Sequence, residues 1–305
     1  MNPDVVEVVI VGGGIAGLTA GIFASRAGLN ATLIDNQGAS GGVLINVDSV
    51  QNFPGFPDGI TGFELGPAVA AQAMTAGTNL QFGTVDSISA CESGDWQLDG
   101  DFGVLETENV IIATGSRPRK LGISGEEKFH GHGVSYCATC DGDFFRNEKV
   151  VIAGGGDAAL DEALVLSDIV DSIAIIHRGD KPTGSVVTLE KVRNCPNITF
   201  QPNAEVSELI GESEIQSVRF HVDGGQSELI DASGIFVYVG VDPQTGILDE
   251  LGEVDPQGHV RVDLNMCVGQ KGLYAVGDIR QGTTGMLLGS AADGMTAAVH
   301  IASHR

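Results

Sequence analysis

Basic side chains are scarce in this sequence: 16 lysines and arginines stand against 40 aspartates and glutamates, a net charge of −24. A surface that acidic repels phosphate backbones and anionic headgroups, which argues against nucleic-acid and membrane-surface roles. Long apolar runs are missing as well. No stretch reaches the ~18 uninterrupted apolar residues that a membrane helix requires. Cysteine is sparse and odd in number, five in 305 residues, too few for a disulfide scaffold. The apolar run Val5–Val11 passes directly into Gly12-Gly13-Gly14 with no basic flank and no small-residue cleavage site, so no export signal is read there. A reducing, cytoplasmic setting is the expectation. The acid excess fits a saline cytoplasm and fits equally a merely acidic protein.

What is present suffices for a folded chain, with 42% apolar and 18% charged residues. At ~150 residues per domain, 305 residues suggest two domains. The 44 glycines lack the third-residue period of collagen and cluster at a few turns. Two segments built on such clusters share one grammar. In the first, the β-rich run Val5–Val11 leads through Gly12-Gly13-Gly14-Ile15-Ala16-Gly17 into a helical stretch, Leu18–Ala27. A second strand, Ala31–Ile34, then ends on Asp35. In the other, Lys149–Ala153 turns through Gly154-Gly155-Gly156-Asp157-Ala158-Ala159 into a helix running to about Ser167. Its second strand, Ser172–Ile176, ends on His177. Twenty-three positions separate Gly12 from Asp35, and the same number separates Gly154 from His177. This is an internal repeat of a whole βαβ unit.

Each copy carries the physics of a dinucleotide site. The first glycine permits the tight turn, and the second lets backbone amides approach a pyrophosphate. The third position, Gly17 or Ala159, lets the helix pack closely on the strand. The strand-end residues differ in chemistry. Asp35 accepts hydrogen bonds from a ribose 2′-hydroxyl, which suits FAD or NAD, whereas His177-Arg178 offers positive charge to the 2′-phosphate of NADP. The first site therefore reads as FAD and the second as a pyridine nucleotide.

Strand-then-glycine junctions at Val110–Gly115 and Gly272–Val276, the latter followed by Gly277-Asp278 and a helical run Ala291–Ala302, lie outside the second repeat. The fold class read from this is α/β, two Rossmann-like dinucleotide-binding domains with the second inserted into the first. Residues 1–117 and 246–305 form the FAD domain and 118–245 the nucleotide domain. The alternating segments Thr84–Glu106 and Ala204–Ile230 read as small antiparallel sheets.

Cys137-Ala138-Thr139-Cys140-Asp141 precedes the second βαβ unit. Two cysteines three apart fit a redox disulfide at a helix start, where a thiolate is stabilised. Zinc, with His130 and His132 as further ligands, and two inert thiols are the alternatives. Asp141 reads either as a proton holder during exchange or as a cap or turn residue. Cys91, Cys195 and Cys267 have no CxxC neighbour and read as buried structural thiols. Between Arg117 and Lys149 six cations face five acids, a local excess that either steers an acidic partner or is surface scatter.

On Gly12–Gly17, Gly41-Gly42, Asn52-Phe53-Pro54-Gly55-Phe56, Ala113-Thr114-Gly115, Cys137–Cys140 with Asp141-Gly142, Gly154–Ala159 and Gly277-Asp278, the sequence resembles the low-molecular-weight thioredoxin reductases over essentially its whole length. The resemblance implies a homodimer whose FAD and NADPH domains rotate against each other. Electrons would pass from nicotinamide to flavin to the Cys137/Cys140 disulfide, with Cys140 nearer the flavin, and then to a thioredoxin-like protein. It further implies FAD contacts from Gly12, Gly14, Ile15, Ala16, Gly17, Asp35, Asn36, Gly42, Val43, Leu44, Asn52, Val85, Ala113, Thr114, Gly115, Gly277, Gly285, Met286 and Leu287, with Asp278 on the ribityl chain. The nucleotide contacts it implies come from Gly154, Gly156, Asp157, Ala158, Ala159, His177 and Arg178.

Two departures stand out. The family continues His-Arg-Arg with a further arginine. Here the run is His177-Arg178-Gly179-Asp180-Lys181-Pro182-Thr183-Gly184, and Lys181 lacks the planar fork that grips a phosphate. Lost charge-assisted bonds at ~1.5–3 kcal/mol each predict NADPH binding weakened ten- to hundred-fold or more. The family's Arg-Gln-Ala before the last helix is Gly285-Met286-Leu287 here, which predicts a flavin harder to reduce. NADPH, NADH, a second flavin nucleotide at the second site and reduced ferredoxin all stay open as donor-side candidates. A dithiol oxidase passing electrons to oxygen and a flavin-binding redox sensor are the other readings.

Overall fold

The computed structural model describes residues 6–38, 41–223, 225–248 and 251–305. Val5, read as the start of the first strand, lies outside them. The chain divides into two units, Met1–Arg117 with Asp242–Arg305, and Pro118–Val241.

The first unit opens with β1 (Val8–Val11), four buried aliphatic residues, and passes into α1 (Ile15–Arg26) and β2 (Ala31–Asp35). The helix starts at Ile15 rather than Leu18, because Gly14 is its N-cap and the glycine turn feeds straight into the first turn. Next come α2 (Gly62–Ala76) and β3 (Asn79–Phe82). Thr61 starts α2 with a reciprocal capping box to Glu64, which satisfies amides the helix leaves open. An antiparallel three-stranded sheet follows, β4 (Val85–Ala90), β5 (Trp96–Gly100) and β6 (Gly103–Thr107). Then β7 (Asn109–Ile112) returns to the parallel layer, and β8 (Ser116–Pro118) leaves the unit.

The second unit begins with β9 (Val134–Ser135) and the single turn α3 (Ala138–Asp141). Its βαβ core is β10 (Lys149–Ala153), α4 (Asp157–Ser167) and β11 (Ser172–Ile176), continued by α5 (Val186–Arg193) and β12 (Ile198–Gln201). A second antiparallel sheet, β13 (Ala204–Gly211), β14 (Ile215–Val222) and β15 (Gln226–Asp231), precedes β16 (Gly234–Val237). The parallel sheet has the order β12-β11-β10-β16-β9. Its three middle strands are almost wholly buried, as expected of a sheet covered on both faces.

The chain returns through β17 (Val241–Pro243), which pairs with β8. That pairing puts the return crossing at Asp242, ahead of residue 246. The first unit then closes with β18 (Leu273–Ala275) and α6 (Leu287–Ser303), giving the sheet order β18-β7-β1-β2-β3. Helices α1 and α6 meet at backbone distance: a Cβ on Gly294 would lie 2.0 Å from the Ala16 carbonyl oxygen. In both units the glycine turns sit at the carboxyl ends of the central strands, where open α/β sheets bind ligands.

Candidate functional site

In the first unit the turn after β1 has no room for side chains. Gly12 adopts φ 110°, and a Cβ there would lie 2.3 Å from the Ala113 carbonyl oxygen. A Cβ on Gly17 would lie 2.0 Å from the Gly12 carbonyl oxygen. Gly14 caps α1 without a side-chain acceptor, so the first amides of the helix stay available to phosphate oxygens. The Asp35 carboxylate accepts from Gly13 N–H at 2.6 Å and from Gln37 N–H at 2.8 Å. Gly42 approaches Gly14, and Gly277 approaches Ala16. Gly12–Gly17, Asp35, Gly42, Ala113 and Gly277 are thus one cluster, with Asn36 exposed beside Asp35. Backbone amides, absent Cβ atoms and a strand-end carboxylate together fit the pyrophosphate and ribose of FAD.

Other expected contacts fall into smaller groups. Thr114 is fastened through its hydroxyl to the Gln244 carbonyl (2.6 Å), and its own carbonyl accepts from the Gln244 amide (2.8 Å), next to Gly115. Asp278 accepts from Ser116 at 2.8 Å and from Ser290 at 3.3 Å. The Asn52 amide lies 3.8 Å from the Met286 sulfur. Leu44 is fully buried, and Leu287 packs against the same small cluster, while Val43 and Met286 are exposed and Gly285 lies at φ 63°. Val85 is partly buried against the core that holds Val9 and Ile34.

The second turn repeats the backbone geometry. Gly154 has φ 133°, and a Cβ on it would lie 2.2 Å from the Tyr238 carbonyl oxygen. Gly156 caps α4 without a side-chain bond, Ala159 is buried, and Asp157 and Ala158 face outward. The following loop folds back on the turn: the amides of Thr183 and Gly184 donate to the Gly155 carbonyl at 2.7 and 3.2 Å, and Asp157 accepts from Ser185 N–H at 2.6 Å. These residues fit a dinucleotide's phosphates.

The expectation of charge at His177-Arg178 needs correction. His177 is only 6% exposed, and burial holds its imidazole below the ordinary histidine value, so the ring is neutral. Its Nε2 is buried with no hydrogen-bond partner among the described residues. Of the pair only Arg178 supplies a cation, and its guanidinium lies 3.9 Å from Glu205.

Cys137 and Cys140 form a disulfide with Cα atoms 5.3 Å apart. Cys137 is the N-cap of α3, and its sulfur accepts from Cys140 N–H at 3.1 Å. Cys140 and Thr139 are exposed, as is Phe144. Ser135 accepts from Cys137 N–H at 3.1 Å and donates to Asp141 at 2.7 Å, which fixes the carboxylate beside the cysteines. From behind, Ala138 N–H is shared by the Tyr238 hydroxyl (2.9 Å) and the Glu162 carboxylate (3.1 Å). Tyr136 donates to Glu126 at 2.8 Å.

The zinc alternative finds no ligand set: no three His, Cys, Asp or Glu come together among the described residues. The His130 ring instead lies 6.2 Å from Tyr136. Cys91, Cys195 and Cys267 are partly exposed rather than buried, since they sit in connecting segments. In the locally basic stretch, Lys120 pairs with Glu127 and Arg146 with Asp143, so two of its six cations are engaged internally.

Ser135, Glu162, Tyr238 and Gln244 are absent from the sequence reading, as is Asp293, which holds Arg280 at 2.6 Å and Gly277 N–H at 3.2 Å. Only Ser135, two residues from Cys137, carries a local signal.

Comparison with known proteins adds to this geometry. Residues 6–301 match the pyridine nucleotide-disulphide oxidoreductase family. The chain is 38% identical to the thioredoxin reductase of Treponema pallidum, over 98% of this chain and 96% of that one. Its fold is similar to the crystal structure of Lactococcus lactis thioredoxin reductase (TM-score 0.93, 34% identity, 97% and 98% of the two chains). It is also similar to that of T. acidophilum thioredoxin reductase (TM-score 0.92, 31% identity, 98% of each chain).

Proposed function

Because this chain belongs to the pyridine nucleotide-disulphide oxidoreductases, in the low-molecular-weight thioredoxin reductase family, and is a flavin-dependent disulfide oxidoreductase, we propose that it reduces a thioredoxin-like protein through Cys137 and Cys140. The observation that carries this is the disulfide at the start of α3, with Cys140 exposed, Cys137 half-buried and Asp141 fixed beside it. FAD, held by Gly12–Gly17 and Asp35, supplies two-electron transfer to the disulfide when bound.

In the reduced state Cys137, whose sulfur faces the Cys140 amide, is the attacking thiolate. It attacks one sulfur of the partner's disulfide, forming a mixed disulfide and releasing a partner thiolate. The Asp141 carboxylate relays the Cys140 thiol proton to that partner thiolate, which leaves Cys140 as a thiolate, and the second partner sulfur takes its proton from solvent. Cys140 then attacks Cys137, which re-forms the internal disulfide and frees the second partner thiol. Two electrons leave the dithiol and reduce the partner.

The second unit takes a pyridine nucleotide on Gly154–Ala159, with Arg178 at its ribose end. With His177 neutral, Gly179 and Thr183 uncharged, and Arg178 facing Glu205, the 2′-phosphate of NADPH is weakly held. NADH therefore serves comparably, and reduced ferredoxin is the second donor reading supported by the same thinned charge. The exposed apolar residues Phe63 and Met74 on α2 and Leu288, Met295 and Val299 on α6 support a homodimer formed through the first unit. No helix among the described residues is long and apolar enough to cross a membrane. A reducing cytoplasm suits a dithiol enzyme with three further thiols.

The test is Cys140→Ser in the flavin-loaded protein. It retains flavin and loses reduction of a thioredoxin disulfide; retained turnover overturns the reading. Anaerobic titration assigns the donor: bleaching of the flavin band by NADPH or NADH supports the nucleotide, and bleaching by reduced ferredoxin alone supports the second donor.

A further inference from the structure

Three groups far apart in sequence converge on one amide. Glu162 comes from α4, Tyr238 from the segment after β16, and both meet Ala138 N–H, the first amide of the dithiol turn. The three side-chain and backbone groups close a triangle, because the phenol is also hydrogen-bonded to the Glu162 carboxylate. Tyr238 has little freedom to move: its amide is bonded to the Ala153 carbonyl at 2.8 Å, and its own carbonyl is the surface against which Gly154 must be a glycine. The triangle is therefore anchored on the nucleotide turn at one end and on the CxxC turn at the other. None of this is needed to form the disulfide, which the α3 cap already positions.

We propose that Glu162 and Tyr238 are positioning residues for the dithiol, holding the Ala138 amide from behind and setting how much negative charge the Cys137 end of the turn accepts once reduced. This rests on the reading of Cys137 and Cys140 as the working pair. A helix-start amide committed to a carboxylate is one that no longer favours a neighbouring thiolate, and the carboxylate itself adds a like charge one residue from Cys137. The phenol moderates that charge by donating a hydrogen bond to it. Further ionisable groups beside the turn are Asp141, held by Ser135, the Asp143–Arg146 ion pair that follows it, and, one contact away, Glu126, bonded to Tyr136, among the described residues. Acids outnumber cations there, so the chain restrains rather than promotes the thiolate.

The experiment uses the flavin-loaded protein, chemically reduced under anaerobic conditions, and follows iodoacetamide alkylation of Cys137 by peptide mass spectrometry across pH. Glu162→Gln keeps an oxygen for the Ala138 amide and removes the charge. Alkylation of Cys137 near pH 7 rises about ten-fold and its profile moves down by about one unit, the lower end of what a close like charge produces. Tyr238→Phe leaves the carboxylate undivided, so its profile moves the opposite way and alkylation slows. Flavin content and circular dichroism identify a variant that has not folded, in which case the other decides. Profiles superimposable on the native one in the folded variants overturn the proposal, since a merely structural contact changes stability and leaves thiol acidity alone. No donor or partner protein enters the assay. A failed reductase reading is therefore seen separately, as absent turnover with an intact alkylation difference.

Discussion

Asp35 accepts a hydrogen bond from Gly13 N–H at 2.6 Å, so the acid that ends β2 is fastened to the turn that follows β1. The second copy of the βαβ unit has no such tie. Its strand ends on a neutral, buried His177, and the turn is held instead by the Thr183 and Gly184 amides on the Gly155 carbonyl. One motif, repeated at identical spacing, is thus closed by its strand-end acid in one unit and, in the other, by a following loop whose amides bond the Gly155 carbonyl and the Asp157 carboxylate.

Asp35→Ala removes this tie and the ribose acceptor together. A charge-assisted bond of this kind contributes ~1.5–3 kcal/mol, so FAD affinity falls roughly ten- to hundred-fold. The ratio of flavin to protein absorbance after gel filtration reads this directly, and a ratio equal to the native one refutes the assignment of FAD to the first turn.

Restoring cations to the second unit changes nucleotide choice. Gly179 is not at positive φ and Thr183 is exposed, so Gly179→Arg with Thr183→Arg places two guanidinium groups on the loop that faces the ribose end. Affinity for NADPH, followed by quenching of protein or flavin fluorescence, rises at least ten-fold while that for NADH is unchanged. An equal gain for both nucleotides, or none, removes this loop from 2′-phosphate recognition.

His177 makes stability depend on pH with a defined sign. Its folded pKa is lowered by burial, whereas the unfolded histidine titrates near ~6.5. Below that value the unfolded chain binds a proton the folded one resists, so stability is lost as pH falls through ~6.5 toward the folded pKa and is fully present above it. Chemical denaturation of His177→Asn, compared with native protein at pH 7.5 and 5.5, shows a smaller loss on acidification. An identical loss in both proteins contradicts the neutral, buried imidazole.

The glycine turns were legible because their requirements are local. Gly12 and Gly154 need positive φ, Gly17 and Ala159 need small side chains, and the strand-end residues follow at a fixed distance along the chain. The cysteine pair was legible for the same reason. Glu162, Tyr238 and Gln244 were not, since ordinary residue types inside a helix or just past a strand acquire their roles only when remote segments meet. Gln244 finds Thr114 from 130 positions away, and Tyr238 finds Ala138 from 100. His177 misled for a related reason: a histidine at a strand end carries a charge only if solvent reaches it, and Gly155 above with Phe200 beside it decides that here.

The pairing of β8 with β17 brings the two severed edges of the first unit next to each other, with Gln244 N–H bonded to Gly115 and, on the other side of the crossing, Arg119 N–H bonded to Gly240. An insertion that enters and leaves through adjacent strands asks nothing of the host's core. A short turn joining Gly115 to Gln244 would close the outer fold without it, and the inserted piece carries both of its own ends at one place. The architecture is that of a cassette, and a lineage could acquire, exchange or recast the dithiol-bearing half while the flavin-binding half kept its packing unaltered.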